Sequence, residues 1–203
     1  MSTRNLAIAV FFFLSLSGSL ASAETQRDAL EKNVRDLYNK NAMVRADSAK
    51  KLVSAGSTAV PLLKAVLCEK SKPNFDLAWP AAAKALGDLK AHAAVPCLVD
   101  MLMYEYPSIG PVEMKSDETL AHVDPAFAAL VQIGEPGVPV IRQYLPFLGP
   151  ERALMAVRVL RLIGSPSARE ATDSYIKILE GQIHLVRVVM ENSPPTKETT
   201  AQQ

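Results

Sequence analysis

Apolar residues recur at helical spacing along most of this chain, and short turns interrupt them at similar places. The segment 49–63, AKKLVSAGSTAVPLL, contains the pattern once. Leu52 lies on the apolar face of a first helix, and Gly56 can close that helix in a left-handed turn. Ser57 or Thr58 can then cap a second helix. The segment therefore predicts one helical hairpin.

The same pattern returns in three later segments, 82–98, 126–141 and 156–176. Pro61 falls in the first turn of its helix, where proline is tolerated, and Val-Pro recurs in the next two segments. The corresponding leucines are separated by 34, 44 and 30 residues, at Leu52, Leu86, Leu130 and Leu160. Internal repeats of this length indicate stacked helical units. We predict an all-α fold, an α-solenoid of about four stacked helical hairpins.

The segment that precedes the first hairpin, 25–40, is charged except for one apolar stripe. Leu30, Val34 and Leu37 are spaced by four and three residues, which places them on one helix face. A stacked array needs a terminal unit with a polar outer face. We therefore expect an N-terminal capping helix.

The first 23 residues contain one basic residue, Arg4, then an apolar run at 6–14 and small residues that end at Ala23. This pattern predicts a signal peptide at 1–23 and a periplasmic or secreted protein. The alternative is an uncleaved membrane anchor, but serines and a glycine interrupt the run before about 20 apolar residues are reached. No second run is long enough for a span. We expect one α-solenoid domain at 24–191 and a disordered tail at 192–203, which lacks apolar residues.

Charge argues against a nucleic-acid partner. The chain has 22 basic and 21 acidic residues, and loss of Arg4 with the signal peptide makes the two numbers equal. A nucleic-acid binder needs a concentrated basic surface. We expect a monomer whose partner is another exported protein or peptide.

Cys68 and Cys97 are the only cysteines. Aligning the Val-Pro pairs puts Cys97 at the level of Leu62, six residues before Cys68, which is roughly 9 Å along a helix axis. That offset exceeds the usual reach of a disulfide. A bridge remains possible in an oxidising compartment, but we expect two partly buried thiols.

The long middle interval contains an insertion at 104–124. Tyr104 and Tyr106, flanked by methionines, stand where the helical pattern stops, and prolines follow. Aromatic residues are enriched at interface centres, so we expect this insertion to contact a partner. The alternative is that both tyrosines fold back over the wider gap between repeats.

Two motifs resemble a known family. They are Leu-x-x-Ala-Gly-x-x-Ala-Val-Pro-x-Leu at 52–63 and Ala-Leu-Gly-Asp-Leu followed by Ala-Val-Pro-x-Leu at 85–98. These motifs are similar to HEAT repeats of the short, phycobilin lyase-like type, although Lys90 replaces a glycine and the fourth repeat lacks Val-Pro. The resemblance implies a right-handed solenoid with the second helices on its concave side.

On that arrangement the second helices carry a candidate binding row. Its members occupy equivalent positions and are Lys64, Ala65, Val99, Asp100, Arg142, Gln143, Ile176 and Lys177. A mixed row of this kind suits a protein or peptide partner. The alternative is that these are ordinary solvated positions.

No residue pattern indicates a reaction. His92, His122 and His184 have no metal-ligand spacing, and neither a phosphate-binding loop nor a nucleophile motif is present. Trp79 is expected to pack against a neighbouring hairpin rather than hold a ligand. The sequence therefore favours a non-catalytic protein-binding scaffold without a cofactor. The alternative is a lyase-like or other enzyme with a small-molecule site in the concave face.

Overall fold

The computed structural model describes residues 24–104 and 116–192, and every regular element in these two ranges is helical. The predicted all-α class is therefore confirmed. The predicted signal peptide and the tail from residue 193 onward lie outside the described residues. The α-helices are α1 (24–36), α2 (Ala42–Ser54), α3 (Val60–Cys68), α4 (Phe75–Asp88), α5 (Val95–Met101), α6 (Asp117–Val123), α7 (Pro125–Ile133), α8 (Val138–Tyr144), α9 (Pro150–Ile163) and α10 (Pro166–Asn192).

A left-handed residue ends the first helix of each predicted hairpin. It stands four positions after each repeated leucine, and its φ is 67° at Gly56, 48° at Lys90, 71° at Gly134 and 65° at Gly164. A side chain disfavours this conformation because its Cβ approaches the following carbonyl. Lys90 adopts it nonetheless, so the turn persists in the repeat that lacks the glycine.

The predicted cap of α3 is wrong. A 3₁₀ turn, Gly56–Ala59, precedes the helix, and no side chain caps it. The Thr58 hydroxyl instead donates to the Ala55 carbonyl at 2.8 Å and so stabilises the preceding turn. Pro61 is the second residue of α3, as predicted.

The repeated leucines form the centre of the core. All four are fully buried, as are Leu63, Leu98 and Phe127. The stripe on α1 also packs against this core: Leu30 and Leu37 are buried, and Val34 is half-buried. The repeated leucines therefore mark the buried face of the first helix in each pair.

Neighbouring helices pack in two successions. The first helices of the pairs contact one another in the order α2, α4, α7 and α9, and the second helices do so in the order α3, α5, α8 and α10. Helices α4 and α7 pack closely at Gly87, where an added Cβ would lie only 3.0 Å from the Ala129 Cα.

Part of the insertion forms a helix, α6, that the sequence pattern did not predict. Leu120 of α6 is fully buried, and Asp117 binds two arginines of α9. The Arg158 Nη2 lies 2.6 Å from Asp117 Oδ1, and Arg161 pairs with the other oxygen. Burial acts to raise the pKa of Asp117, but these hydrogen bonds outweigh it and lower that pKa. This end of the insertion is therefore anchored to the helical array.

Helix α10 is the longest element, and its last turns extend an exposed apolar face. Ile183 and Val186 are 60% and 59% exposed, and Ile176 and Leu179 continue the stripe at spacings of three and four residues. None of the described helices combines the length and the apolar character that a bilayer crossing requires.

Candidate functional site

The largest described concavity is a groove of about 1130 Å³ between successive first helices. Its walls come from α2, α4 and α7, with a contribution from the end of α6. The groove is open to solvent. It was not predicted, because the resemblance placed the binding surface on the second helices instead.

Small apolar side chains form the floor of the groove. Ala49, Ala81 and Ala128 are half-buried there, and Ala85 and Ala129 lie beneath them. Alanines leave the helix backbones close to the surface along this part of the groove. Such a surface suits an elongated ligand that lies along the groove.

Charged side chains form the rim, and some of them already have partners. The Arg45 guanidinium donates to the Asn39 and Lys40 carbonyls at 2.8 and 3.0 Å. Lys50 and Asp76 are exposed and make no ion pair with any described residue. The rim therefore offers charges of both signs that no described ion pair neutralises.

A polar bridge crosses the groove wall between α4 and α7. Asp88 accepts hydrogen bonds from Gln132 Nε2 at 2.9 Å and from Lys84 Nζ at 3.0 Å. Burial acts to raise the pKa of Asp88, but these two hydrogen bonds outweigh it and hold the pKa below 3.8. Asp88 is therefore an anion at neutral pH whose acceptor capacity is largely used within the protein.

The groove has the chemistry of a binding surface. His122 is the one histidine on its lining, and it is exposed at the end of α6. Across 24–104 and 116–192, no three side chains of His, Cys, Asp or Glu converge in a way that could hold a metal ion. The lining supports apolar contact on the floor and ion pairs at the rim.

The predicted row on the second helices does not line the groove. Lys64 is half-buried and Lys177 is exposed, whereas Val99 is fully buried and cannot contact a partner. Val99 was placed in the row by alignment alone, but its helix face packs into the core.

Two members of that row are engaged in ion pairs between helices. Asp100 accepts from Lys70 at 2.8 Å and from Arg152 of α9 at 3.3 Å. Arg142 of α8 pairs with Glu170 of α10 at 3.0 Å. These contacts link neighbouring helices, so a partner would have to compete for both side chains.

Tyr104 belongs to an aromatic cluster. Its ring meets Phe75 and Trp79 edge to face, with centroid distances of 5.4 and 6.0 Å, and the Lys70 ammonium lies 5.1 Å from its centroid. Trp79 is buried, as predicted. Tyr104 is 37% exposed, so it covers the two buried rings and keeps an outer edge in solvent. Tyr106 lies outside the described residues.

The register argument for the two cysteines is wrong. The Cys68 and Cys97 sulfurs are 3.2 Å apart, and one thiol donates to the other. Cys68 is the last residue of α3, and Cys97 is in the first turn of α5. The two helices therefore do not lie side by side in the register that the alignment assumed, and the end of one meets the start of the next.

Sequence comparisons identify no relative from which to transfer a function. No protein-family model matches this chain, and no curated protein matches its sequence.

Proposed function

We propose that the chain is an α-solenoid of four stacked helical pairs, of the HEAT type, with α1 as its N-terminal cap. The two successions of helix contacts support this arrangement, since each pair packs on the next through both of its helices. The recurrence of a left-handed residue after each first helix also supports it.

The function we infer is that of a non-catalytic scaffold that binds a segment of another exported protein. The groove between α2, α4 and α7 is the observation that carries this inference. Its volume of about 1130 Å³ exceeds the roughly 300–1,000 Å³ of most small-molecule sites.

The occupant that best fits the groove is an amphipathic helix with a small apolar face. Half-buried alanines allow a helix to approach closely along the groove. Lys50 and Asp76 stand free at the rim, so the occupant should carry a charge of each sign beside its apolar face. This is the helix-in-groove mode of recognition.

Site-specific photo-crosslinking tests the proposal. A photoreactive residue at Ala81 on the groove floor should give an adduct with an exported protein in the native compartment. Ala46 is exposed on the rim, so the substitution Ala46→Arg should fill the groove and abolish that adduct. The circular dichroism spectrum of this variant should match that of the wild type. A probe at Ala93, which is exposed outside the groove, is the matched control.

Other adduct patterns would locate binding elsewhere. Adducts confined to probes at Lys64 or Lys177 would move the site to the second-helix row, and adducts confined to Ile183 would move it to α10. A small molecule that raises the melting temperature of the wild type but not of Ala46→Arg, without any protein adduct, would favour the enzyme alternative. Any of these results would contradict the groove as a protein-binding site.

The predicted export is tested separately by the mature N-terminus. Mass spectrometry of the protein from fractionated cells should find Glu24 as the first residue. An intact Met1 on a cytosolic species would contradict the expected signal peptide and the compartment of the proposed partner.

A further inference from the structure

We propose that Cys68 and Cys97 form an intramolecular disulfide that joins the end of α3 to the start of α5. The proposal rests on the contact between their sulfurs and on the predicted export, and it is independent of the proposed partner binding. It adds a covalent tie between the first and second helical pairs.

The geometry needs little change for the bond to form. The sulfurs are 3.2 Å apart, so a bond of about 2.0 Å requires a further approach of about 1.2 Å. Rotation about the two side chains can supply much of that distance.

A second contact holds the same two segments together. Lys70, two residues beyond Cys68, pairs with Asp100, three residues beyond Cys97, at 2.8 Å. The two contacts follow the chain in the same direction. The proximity of the thiols therefore does not depend on one side-chain conformation.

Access favours Cys68 as the thiol that reacts first. Cys68 is exposed, and a cleft of about 350 Å³ beside the pair is open to solvent between Leu67, Tyr144 and Leu148. Cys97 is half-buried, and burial raises the pKa of its thiol to about 11, with the neighbouring Cys68 sulfur adding to the shift. The thiolate is the nucleophile in thiol–disulfide exchange, which disfavours Cys97 as the initiator.

The oxidant required is a disulfide compound, either a small molecule or a disulfide-exchange protein. The Cys68 thiolate attacks one sulfur of that disulfide, a mixed disulfide forms and the first thiol leaves. The Cys97 thiolate then attacks the Cys68 sulfur, closes the bridge and releases the second thiol. Together the two protein thiols lose two protons and two electrons, and the oxidant gains two protons and two electrons as its disulfide becomes two thiols.

Oxidation of the purified protein by glutathione disulfide tests the proposal. After quenching with an alkylating reagent, the monomer should carry no alkylated cysteine, and peptide mapping should find Cys68 linked to Cys97. The bridge closes a loop of about 30 residues, so the melting temperature should rise by roughly 5 to 15 °C over that of the reduced protein. Closure should also become faster as pH rises.

Single-cysteine variants separate the two steps. Cys97→Ser should accumulate a stable glutathione adduct on Cys68, whereas Cys68→Ser should react much more slowly at Cys97. The proposal fails if both wild-type thiols stay open to alkylation, if the Cys68 adduct persists in the wild type, or if the main product is a disulfide-linked dimer. None of these readouts requires a partner protein, so failure here would leave the proposed function standing.

Discussion

Asp124 accepts a hydrogen bond from the Met103 backbone N–H at 3.0 Å and so joins the two ends of the insertion. Its other oxygen caps α7 by accepting from the Ala126 and Phe127 backbone N–H groups at 2.9 and 3.0 Å. Only 2% of Asp124 is exposed. Met103 has a φ of 64°, so this bond also holds a left-handed residue in place. One carboxylate therefore starts α7 and fixes the chain that follows α5.

Replacing Asp124 by alanine should destabilise the protein by about 2 to 4 kcal/mol. The change removes a helix cap, which costs about 0.5 to 2 kcal/mol, and leaves the Met103 N–H without its acceptor. Asp124→Asn is the matched control, because asparagine caps helices as well as aspartate does but turns an N–H group toward Met103. We expect a loss near 1 kcal/mol for asparagine. Urea denaturation measures both, and a stability of Asp124→Asn equal to that of the wild type would contradict the role of the Met103 bond.

The stability difference between wild type and Asp124→Asn should depend on pH. Burial raises the pKa of Asp124 above 3.8, and the hydrogen bonds from Phe127, Met103 and Ala126 offset only part of that rise. A raised folded pKa means that the folded state binds the proton more tightly. The stabilisation that comes from protonating Asp124 is therefore fully present below pH 3.8, the ordinary pKa of the group. It is lost as the pH rises through the pKa of Asp124 in the folded state.

Wild type should accordingly gain stability relative to Asp124→Asn between about pH 7 and about pH 3.5. The comparison cancels the other carboxylates, which titrate in both proteins. Denaturant titrations at several pH values give the difference. A difference that stays constant, or that shifts toward the variant in acid, would show that the pKa of Asp124 is not raised.

Gly87→Ala should destabilise the protein by about 1 to 3 kcal/mol, although alanine is the better helix former. A Cβ at this position would lie 2.8 Å from Gln132 Oε1 and 3.0 Å from the Ala129 Cα. Gln132 can move at the cost of its hydrogen bond to Asp88, but the Ala129 backbone cannot, so α4 and α7 would have to separate.

Gly181→Ala is the matched control for that substitution. Gly181 lies inside α10, and a Cβ there would meet nothing within 4 Å. Helix propensity then acts alone, and we expect a gain of about 0.5 to 1 kcal/mol. Thermal denaturation of both variants should give shifts of opposite sign. A gain in both would mean that the α4–α7 contact is looser than described.

Lys90→Gly should stabilise the protein by about 0.5 to 1 kcal/mol. The φ of 48° at Lys90 is unfavourable for a residue with a side chain, and glycine removes that cost. Gly56→Ala makes the reverse change at the equivalent position, where an added Cβ would meet nothing within 4 Å. It should lose about 1 kcal/mol. Destabilisation by Lys90→Gly would show that the lysine side chain contributes more than the strain removes.

Tyr104→Ser should cost about 2 to 3 kcal/mol, because it removes the ring that covers Phe75 and Trp79. Tyr104→Phe keeps both edge-to-face contacts and should change the free energy of unfolding by less than about 0.5 kcal/mol. A loss below about 1 kcal/mol for serine would instead identify Tyr104 as a surface residue that is free to contact a partner.

Local patterns in the sequence were sufficient to predict the all-helical class. Leu52 and its three equivalents mark the buried face, because helical periodicity places residues of one face in the core wherever neighbours pack. Glycine after three of the first helices marks the turn, because only that residue adopts positive φ without strain. Both signals depend on contacts within one turn of helix.

Only the tertiary structure decided which surfaces face one another. The meeting of Cys68 with Cys97 depends on how α3 and α5 are displaced along their axes, and alignment of repeats assumes that displacement to be zero. The groove depends on the close approach of α4 and α7 at Gly87 and on the small side chains beside it. Val99 and Asp100 are neighbours in the chain, yet one is buried and the other bridges two helices. The angle and offset between helices set all of these contacts, and they arise from packing between residues distant in sequence.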